Sequence, residues 1–438
     1  MTKLRALWWR VVGSLWFVPA LMVIGAVLLA GGLVEAETLV EVKLGERWPR
    51  FFGAAADGAR GMLQAIAGSM ITVAGVVFSV TLVALSLAAS QYSPRVLRAF
   101  MADRPTQVVL GTFVGIFAYC LVVLRTIRGG DGDAAFVPSI AVSAGLVLAF
   151  VGIGLLVFFI HHLASSIEAS SIMGRVGAAT LRAVDGLFPQ EVGEPAEETR
   201  ALETVGETWA PVAARETGYI VSVDDKGLLA LARARGRVVR MEHGIGDFVV
   251  AGRPLASLDG RDAASEQDET DLNACYSFGR QRTIEQDVGF GIQQLVDIGQ
   301  KALSPGINDP TTAIMCVDRL TEIMARLARR RIESPYRRDE GRLRVIAAGP
   351  SFAHLVELAY AELRNDARGK RPVLRRLLWS VEEAGASTGD PVRRRVLAAH
   401  ARGIAEAAQR ETEAPQERDE IVAAAVRLAQ RLAGAEER

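Results

Sequence analysis

The sequence predicts an all-α membrane fold: a four-span transmembrane helical bundle followed by a cytoplasmic α+β region, in which a small β unit precedes a helical domain. Three observations carry this reading. Four long apolar runs occupy the first third of the 438-residue chain. Nearly all the remaining charge follows Ser165. Between residues 218 and 260, β-branched clusters broken by glycines replace the helical period, which then returns.

Composition supports the segregation. Half of the residues are hydrophobic although 23% are charged, so the apolar excess must be concentrated in part of the chain. Lysine plus arginine equals aspartate plus glutamate, and a net charge of +0 excludes a nucleic-acid binder that works by bulk electrostatics. Cys120, Cys275 and Cys316 lie far apart. They suit buried or free thiols in a reducing compartment and give neither a disulfide framework nor metal-ligand spacing.

Expected boundaries are 1–165 for the four spans, 166–217 for a helical extension and linker, 218–260 for the β unit and 261–438 for the helical domain. Val11–Val34 is the first span, an uncleaved helix with Trp8, Trp9 and Trp16 near one interface. A charge-mixed loop over Glu35–Arg60 follows, and its RWPRFF segment reads as interfacial.

The second span, Met62–Ser90, is the most informative. No charged side chain lies between Arg60 and Arg95, and Ser69, Thr72, Ser79, Ser86 and Ser90 recur at helical spacing. With Val76 and Val83 filling the gaps they form one narrow stripe, which has two uses. It can pack against a helix, small volume being what close approach in lipid requires, or it can line a narrow wet path in an oligomer. Pro94 marks the exit from this span.

Val108–Leu124 is the third span, with Gly111 and Gly115 at small-xxx-small spacing, and Phe136–Ile160 is the fourth, with Ala141, Gly145 and Ala149 likewise. Basic residues set the orientation. Lys3, Arg5, Arg10, Arg95, Arg98, Arg104, Arg175 and Arg182 on one side outnumber Lys43, Arg47, Arg50, Arg60, Arg125 and Arg128 on the other. Both termini are therefore expected in the cytoplasm.

From His161 the fourth helix is expected to run on out of the bilayer, and 189–211 reads as a loop. Strands are expected across Gly218–Asp259 and a polar loop over Arg261–Asp271. Thr283 and Gln286 have capping-box spacing for a helix running to about Ala302. In SPGINDP, Asp309 and Pro310 read as N-cap and first residue of the next helix. Further helices are expected from about Phe352, Pro372, Pro391 and Pro415.

Catalytic signatures are absent: there is no nucleophile elbow, phosphate-cradling loop or zinc-protease motif. No charged residue lies within the four expected spans, which disfavours an ion-coupled carrier. Adjacent His161 and His162 diverge by about 100° on a helix and cannot chelate one ion together. No catalytic residue, metal or cofactor is expected. Arg280 and Arg282 could meet headgroups or phosphates, and Ser304, Asn308 and Asp309 could hold a polar ligand, although a structural helix-turn-helix is the simpler use.

Two resemblances add to this. GDFVVAGRPLASLDG is worded like the half-barrel units of biotinyl and lipoyl domains, but no lysine occupies a matching hairpin tip, so the likeness implies a shape and no prosthetic group. SLWFVPAL, FSVTLVALSLAASQYSPRVLRAF, GDFVVAGRPL and RTIEQDVGFGIQQLVDIGQKALSPGINDPTTA together resemble the bacterial predicted membrane protein family known as domain of unknown function 2254, from about Leu15 to beyond His400. That resemblance implies an integral protein of the bacterial inner membrane and transfers no reaction. The expected role is a non-enzymatic membrane scaffold or sensor whose cytoplasmic region binds an unknown soluble partner or ligand. The alternative is a homo-oligomeric channel or passive pore lined by the second span. The bilayer is the one certain partner of either, and nucleic acid is not expected.

Overall fold

The structure, a computed structural model, describes residues 14, 16–40, 56–91, 103–128, 136–166, 168–188, 208–284, 286–330, 332, 335–339 and 342–434. The expectations for Trp8, Trp9, RWPRFF, Pro94 and most of 189–211 fall outside these residues. The chain divides into two compact units, residues 3–168 and 169–438.

The first unit contains α1 (Phe17–Val40), α2 (Ala56–Gln91), α3 (Arg104–Thr126) and α4 (Ser139–Ser166). All four are long and apolar enough to cross a membrane. Helix α3 is central: half of its most apolar window is buried, against 6% for α1, and it packs on each of the other three. Glycine makes this approach possible. A Cβ added to Gly111 would lie 2.7 Å from Met22 Sδ and 2.9 Å from Pro19 Cα, and one on Gly152 would lie 3.1 Å from Met70 Sδ and 3.3 Å from Ile116 Cδ1. Leu63, Phe113, Ile116 and Ala141 fill the space between, and the buried Tyr119 hydroxyl donates to the Ala141 carbonyl at 2.6 Å.

The helices outrun the expected spans. Helix α1 continues past Val34 because Glu37, a helix turn further on, has a partner on α4: its carboxylate accepts the Ser139 and Ile140 backbone N–H groups at 2.6 and 3.0 Å. Those are orphan donors of the α4 N-terminus, and the carboxylate sits at the positive end of that helix. Arg60 donates to the Ile127 carbonyl at 3.0 Å just beyond α3. At the other end of the unit, Asp103 caps α3 through Thr106 N at 3.1 Å. The fourth helix does not run on as expected. It ends at Ser166, and a separate helix begins at Ala169.

That helix, α5 (Ala169–Leu187), opens the second unit. It is followed by β1 (Trp209–Ala213), β2 (Gly218–Val223), α6 (Asp225–Arg235), β3 (Val239–Met241), β4 (Phe248–Val249), β5 (Pro254–Asp259), α7 (Glu266–Ala274), β6 (Tyr276–Gly279), α8 (Val288–Leu303) and α9 (Pro310–Arg329). Then come β7 (Tyr336–Asp339), β8 (Arg342–Ile346), α10 (Phe352–Asp366), α11 (Arg371–Ala386), α12 (Pro391–Glu411) and α13 (Pro415–Ala433). One sheet has the order β1-β5-β3-β8-β7 and a second the order β4-β2-β6. All described pairings are antiparallel except β3 with β8.

Four expectations are corrected here. The β unit exceeds 218–260, since Pro211 lies in β1 and the Tyr336–Ile346 hairpin completes the larger sheet. Within it, Asp225–Arg235 is helical: Asp224 caps Gly227 N, and Gly236 at φ 66° ends the turn in a conformation glycine adopts without strain. The acidic stretch expected to be a loop forms α7, because Ser265 and Asp268 close a capping box. Helix α8 starts later than Thr283 implies. Its cap is Asp287, which accepts from Phe290 N.

Gly111 sets the distance between α1 and α3, and overpacking a tight contact typically costs about 1–3 kcal/mol. Gly111→Ala is expected to lower the thermal unfolding temperature in detergent, whereas Gly154→Ala, at a position with nothing within 4 Å, is expected to leave it unchanged.

Candidate functional site

At about 100° per residue, α2 has two opposed faces. Leu63, Met70, Ala74 and Val77 are buried in the bundle. Directly opposite, Gly61, Gly68, Thr72, Gly75, Ser79, Ser86 and Ser90 lie within an arc of about 60°, and all are exposed. Ser69 is exposed too but lies about 60° beyond the edge of this arc, past Val83 and Val76. Among the described residues, no atom outside α2 lies within 4 Å of a Cβ built on Gly61, Gly68 or Gly75. Thr72, Ser79, Ser86 and Ser90 thus share one exposed side of α2, opposite the side buried in the bundle, and Ser69 stands apart from them.

Glycines, which the hydroxyl pattern alone passes over, extend that stripe. Gly61, Ala65, Gly68, Thr72, Gly75, Ser79, Leu82 and Ser86 follow the alternating four- and three-residue steps of a coiled-coil seam, with Leu82 the one large residue. A strict seven-residue repeat matches left-handed helix packing, and small side chains allow it to be close. Three of the hydroxyls donate within the helix: Ser69 to the Ala65 carbonyl at 2.7 Å, Thr72 to the Gly68 carbonyl at 2.8 Å and Ser90 to the Leu87 carbonyl at 2.9 Å. Such hydroxyls need no water.

At the Asp103 end of the bundle, His162 Nε2 lies 2.8 Å from Asp103 Oδ2 and 3.2 Å from Ser166 Oγ. Both contacts use the same ring nitrogen. A serine–histidine–aspartate relay needs both nitrogens, one for each partner, so this cluster ties α4 to the α3 cap and is not built for nucleophilic catalysis.

In the second unit the expected site residues occupy opposite ends of α8. At its N-terminus Arg282 makes a two-pronged ion pair with the buried Asp287, at 2.7 and 3.0 Å, and stacks over Phe290 with its guanidinium carbon 5.2 Å from the ring centre. Asp287 already occupies the guanidinium that a phosphate would need. Arg280 is exposed nearby. Ser304, Asn308 and Asp309 form the turn at the other end, and α8 spans about 24 Å, so the arginines and the turn are not one site.

Asp309 caps α9, accepting from Thr312 N at 3.1 Å and Thr312 Oγ1 at 2.6 Å. The Thr312 hydroxyl, with backbone donors, holds its carboxyl below the usual carboxylate range. Asn308 sits at φ 51°, left-handed backbone that asparagine tolerates. Ser304 closes the α8 end through the Lys301 carbonyl. Among the described residues no group of three or more His, Cys, Asp or Glu side chains is arranged for a metal ion.

His400 on α12 stands alone in the sequence and reads there as no ligand, because the neighbours that surround it come from α10. Its ring meets Tyr360 edge-on at 6.0 Å, Nε2 lies 3.3 Å from Glu357 Oε2, and buried Nδ1 has no hydrogen-bond partner. Beneath it, Thr321, Ser380 and Tyr360 form a buried hydroxyl chain at 2.7 and 2.8 Å. Burial pushes the His400 pKa down, Glu357 pulls it up and Arg364 pushes it down, leaving it below 6.5.

Four helices long and apolar enough to cross a membrane, followed by a charge-rich unit of mixed helix and sheet, are what a helical membrane protein with an extramembrane region would have. Within that class the chain belongs to the family described as "Predicted membrane protein (DUF2254)", whose model matches residues 12–383. It is 36% identical over 425 residues to "Uncharacterized protein Rv1290c" of Mycobacterium tuberculosis and, to the same degree, to "Uncharacterized protein Mb1321c" of Mycobacterium bovis, covering 95% of this chain and 80% of each relative. No solved structure matches the chain.

A histidine whose folded pKa is depressed binds fewer protons folded than unfolded, so stability falls as pH drops below the unfolded value of about 6.5 toward the folded one. His400→Gln is expected to flatten that acid-side loss between about pH 7 and 5.5 in thermal unfolding of the full chain. An unchanged slope would remove His400 as its source.

Proposed function

We propose that this protein is a non-enzymatic membrane scaffold or sensor whose copies associate through the outer seam of α2. The observation that carries this is the opposition of the two α2 faces. Small residues are favoured where helix backbones approach closely in lipid, and within its own bundle this face has no helix to approach. A second copy supplies one with the same repeat, so the contact can be self-complementary. The Thr72 and Ser90 hydroxyls, each already donating to a carbonyl of its own helix, favour a dry contact over a wet lining.

The second unit lies in the cytoplasm in this reading, on the strength of the basic residues flanking spans one, two and four. The polar clusters described above cap helices and join elements, which supports a binding or assembly role over a reaction. A reporter fused after Phe188 is expected to read as cytoplasmic. Periplasmic phosphatase activity from the same fusion would overturn the orientation.

Assembly is tested by single cysteines in nanodiscs, in a Cys275→Ser background that leaves only the buried Cys120 and Cys316. Ser79→Cys and Ser86→Cys are expected to cross-link into dimers on oxidation, and Phe78→Cys and Val80→Cys, off the seam, are not. Ser79→Ala should keep the assembly and Ser79→Leu disperse it. Absence of cross-linking together with reaction of both cysteines with a membrane-impermeant reagent, and solute flux above empty liposomes, would establish the pore instead.

A further inference from the structure

The turn between α8 and α9 has more structure than a connection requires. Ser304 O accepts both Ile307 N at 3.1 Å and Asn308 N at 2.9 Å, and Asp309 N donates to Ala302 O at 2.8 Å. Asn308 in the left-handed region and the Asp309 cap complete a closed loop. That loop holds Ile307 outward, 43% exposed, with exposed Pro305 and Gly306 beside it and exposed Lys301 one turn back. A backbone fixed in this way keeps the apolar side chain away from the unit's own core.

Contacts within the second unit fix which end carries this turn. Cys316 Sγ lies 3.1 Å from Met173 Sδ, Arg319 Cδ would be 3.5 Å from a Cβ on Gly177, and Arg326 Nε is 3.2 Å from Asp185. Increasing numbers on α9 thus meet increasing numbers on α5, so the two helices run parallel and Ala169 is level with the first turn of α9. Ala169 is also where the chain arrives from α4, which ends at Ser166. Three Cα steps separate those residues, a reach of at most about 11 Å. The Ser304–Asp309 turn is therefore at the end of the unit that is tethered to an apolar helix of membrane-crossing length.

We propose that this turn is a membrane-surface contact, with Ile307 seated at the boundary between headgroups and acyl chains and Lys301 among anionic headgroups. The proposal rests on the four-span reading given above. An apolar side chain presented on a rigid loop loses little conformational freedom on insertion, and a lysine snorkels by extending its ammonium to the polar layer. The bilayer is the occupant because only three residue steps connect the start of α5, level with this turn, to the end of a helix long and apolar enough to cross a membrane. The rest of the turn is polar enough to remain at headgroup level.

The test uses the full chain with Cys275→Ser, spin-labelled at one introduced cysteine, in nanodiscs of phosphatidylethanolamine and phosphatidylglycerol. Ile307→Cys reports the turn. Gly389→Cys, between α11 and α12, reports the far end, because Ser380 of α11 and Ser387 just past it pair with Thr321 and Arg329 of α9 and so follow it away from the turn. Val157→Cys, on the exposed side of α4, reports the span. Collision with oxygen relative to a water-soluble nickel chelate is expected to be high at 157, low at 389 and intermediate at 307. Equal ratios at 307 and 389 would overturn the contact while a high ratio at 157 kept the spans. Shielding of 307 from both collision reagents would overturn it in favour of a protein contact. A water-like ratio at 157 would overturn the span reading itself, and the membrane contact with it.

Discussion

Close approach of helix backbones around α3 is the constraint on which the first unit depends. A membrane interior offers no water to satisfy polar groups and no hydrophobic drive between helices, so packing must come from contact. Gly111 admits the backbone of α1 at Pro19, and Gly152 admits Met70 and Ile116. With the helices this close, the ends can be closed by neighbours. Glu37 on α1 caps α4, and Arg60 on α2 reaches the carbonyl just past α3. Charged side chains are thus spent at helix termini, where they meet the dipole and orphan groups, and the apolar middle needs none.

The same packing rule makes the outer face of α2 informative. On the inner face, small residues such as Ala74 alternate with Leu63, Met70 and Val77 and are buried. On the outer face glycine and hydroxyl residues recur with the period of a seam, and among the described residues no other helix meets Gly61, Gly68 or Gly75. A lipid-facing surface built only for solvation would resemble α4, whose exposed side is Leu146, Val147, Phe150, Ile153 and Val157. The contrast between α2 and α4 is why assembly through α2 is the preferred role.

Much of this was legible in the sequence where one local rule dominated. Long uncharged runs marked the four helices, and Asp309 before Pro310 marked the start of α9, because a cap and a proline act within one turn. The misses share a cause. Asp225–Arg235 has the composition of either element, and only its Asp224 and Gly236 caps decide for helix. The T-x-x-Q pattern at Thr283 was outcompeted by Asp287, which gains both a cap and an ion pair with Arg282. Strands β7 and β8 are recruited by β3 from about 100 residues upstream, a pairing with no local signal. The hydroxyl stripe was visible, but its direction was not, since the burial of Leu63 and Met70 depends on helices distant in sequence.

Subunit counting tests the assembly through α2 most directly. With one fluorophore per chain and nanodiscs loaded at limiting protein, stepwise photobleaching should show discs holding two or more chains above the level expected from random loading, and Ser79→Leu should return the count to that level. Single chains throughout for the unmodified protein, with the fold intact, would contradict it and leave the outer face of α2 as a lipid-facing surface.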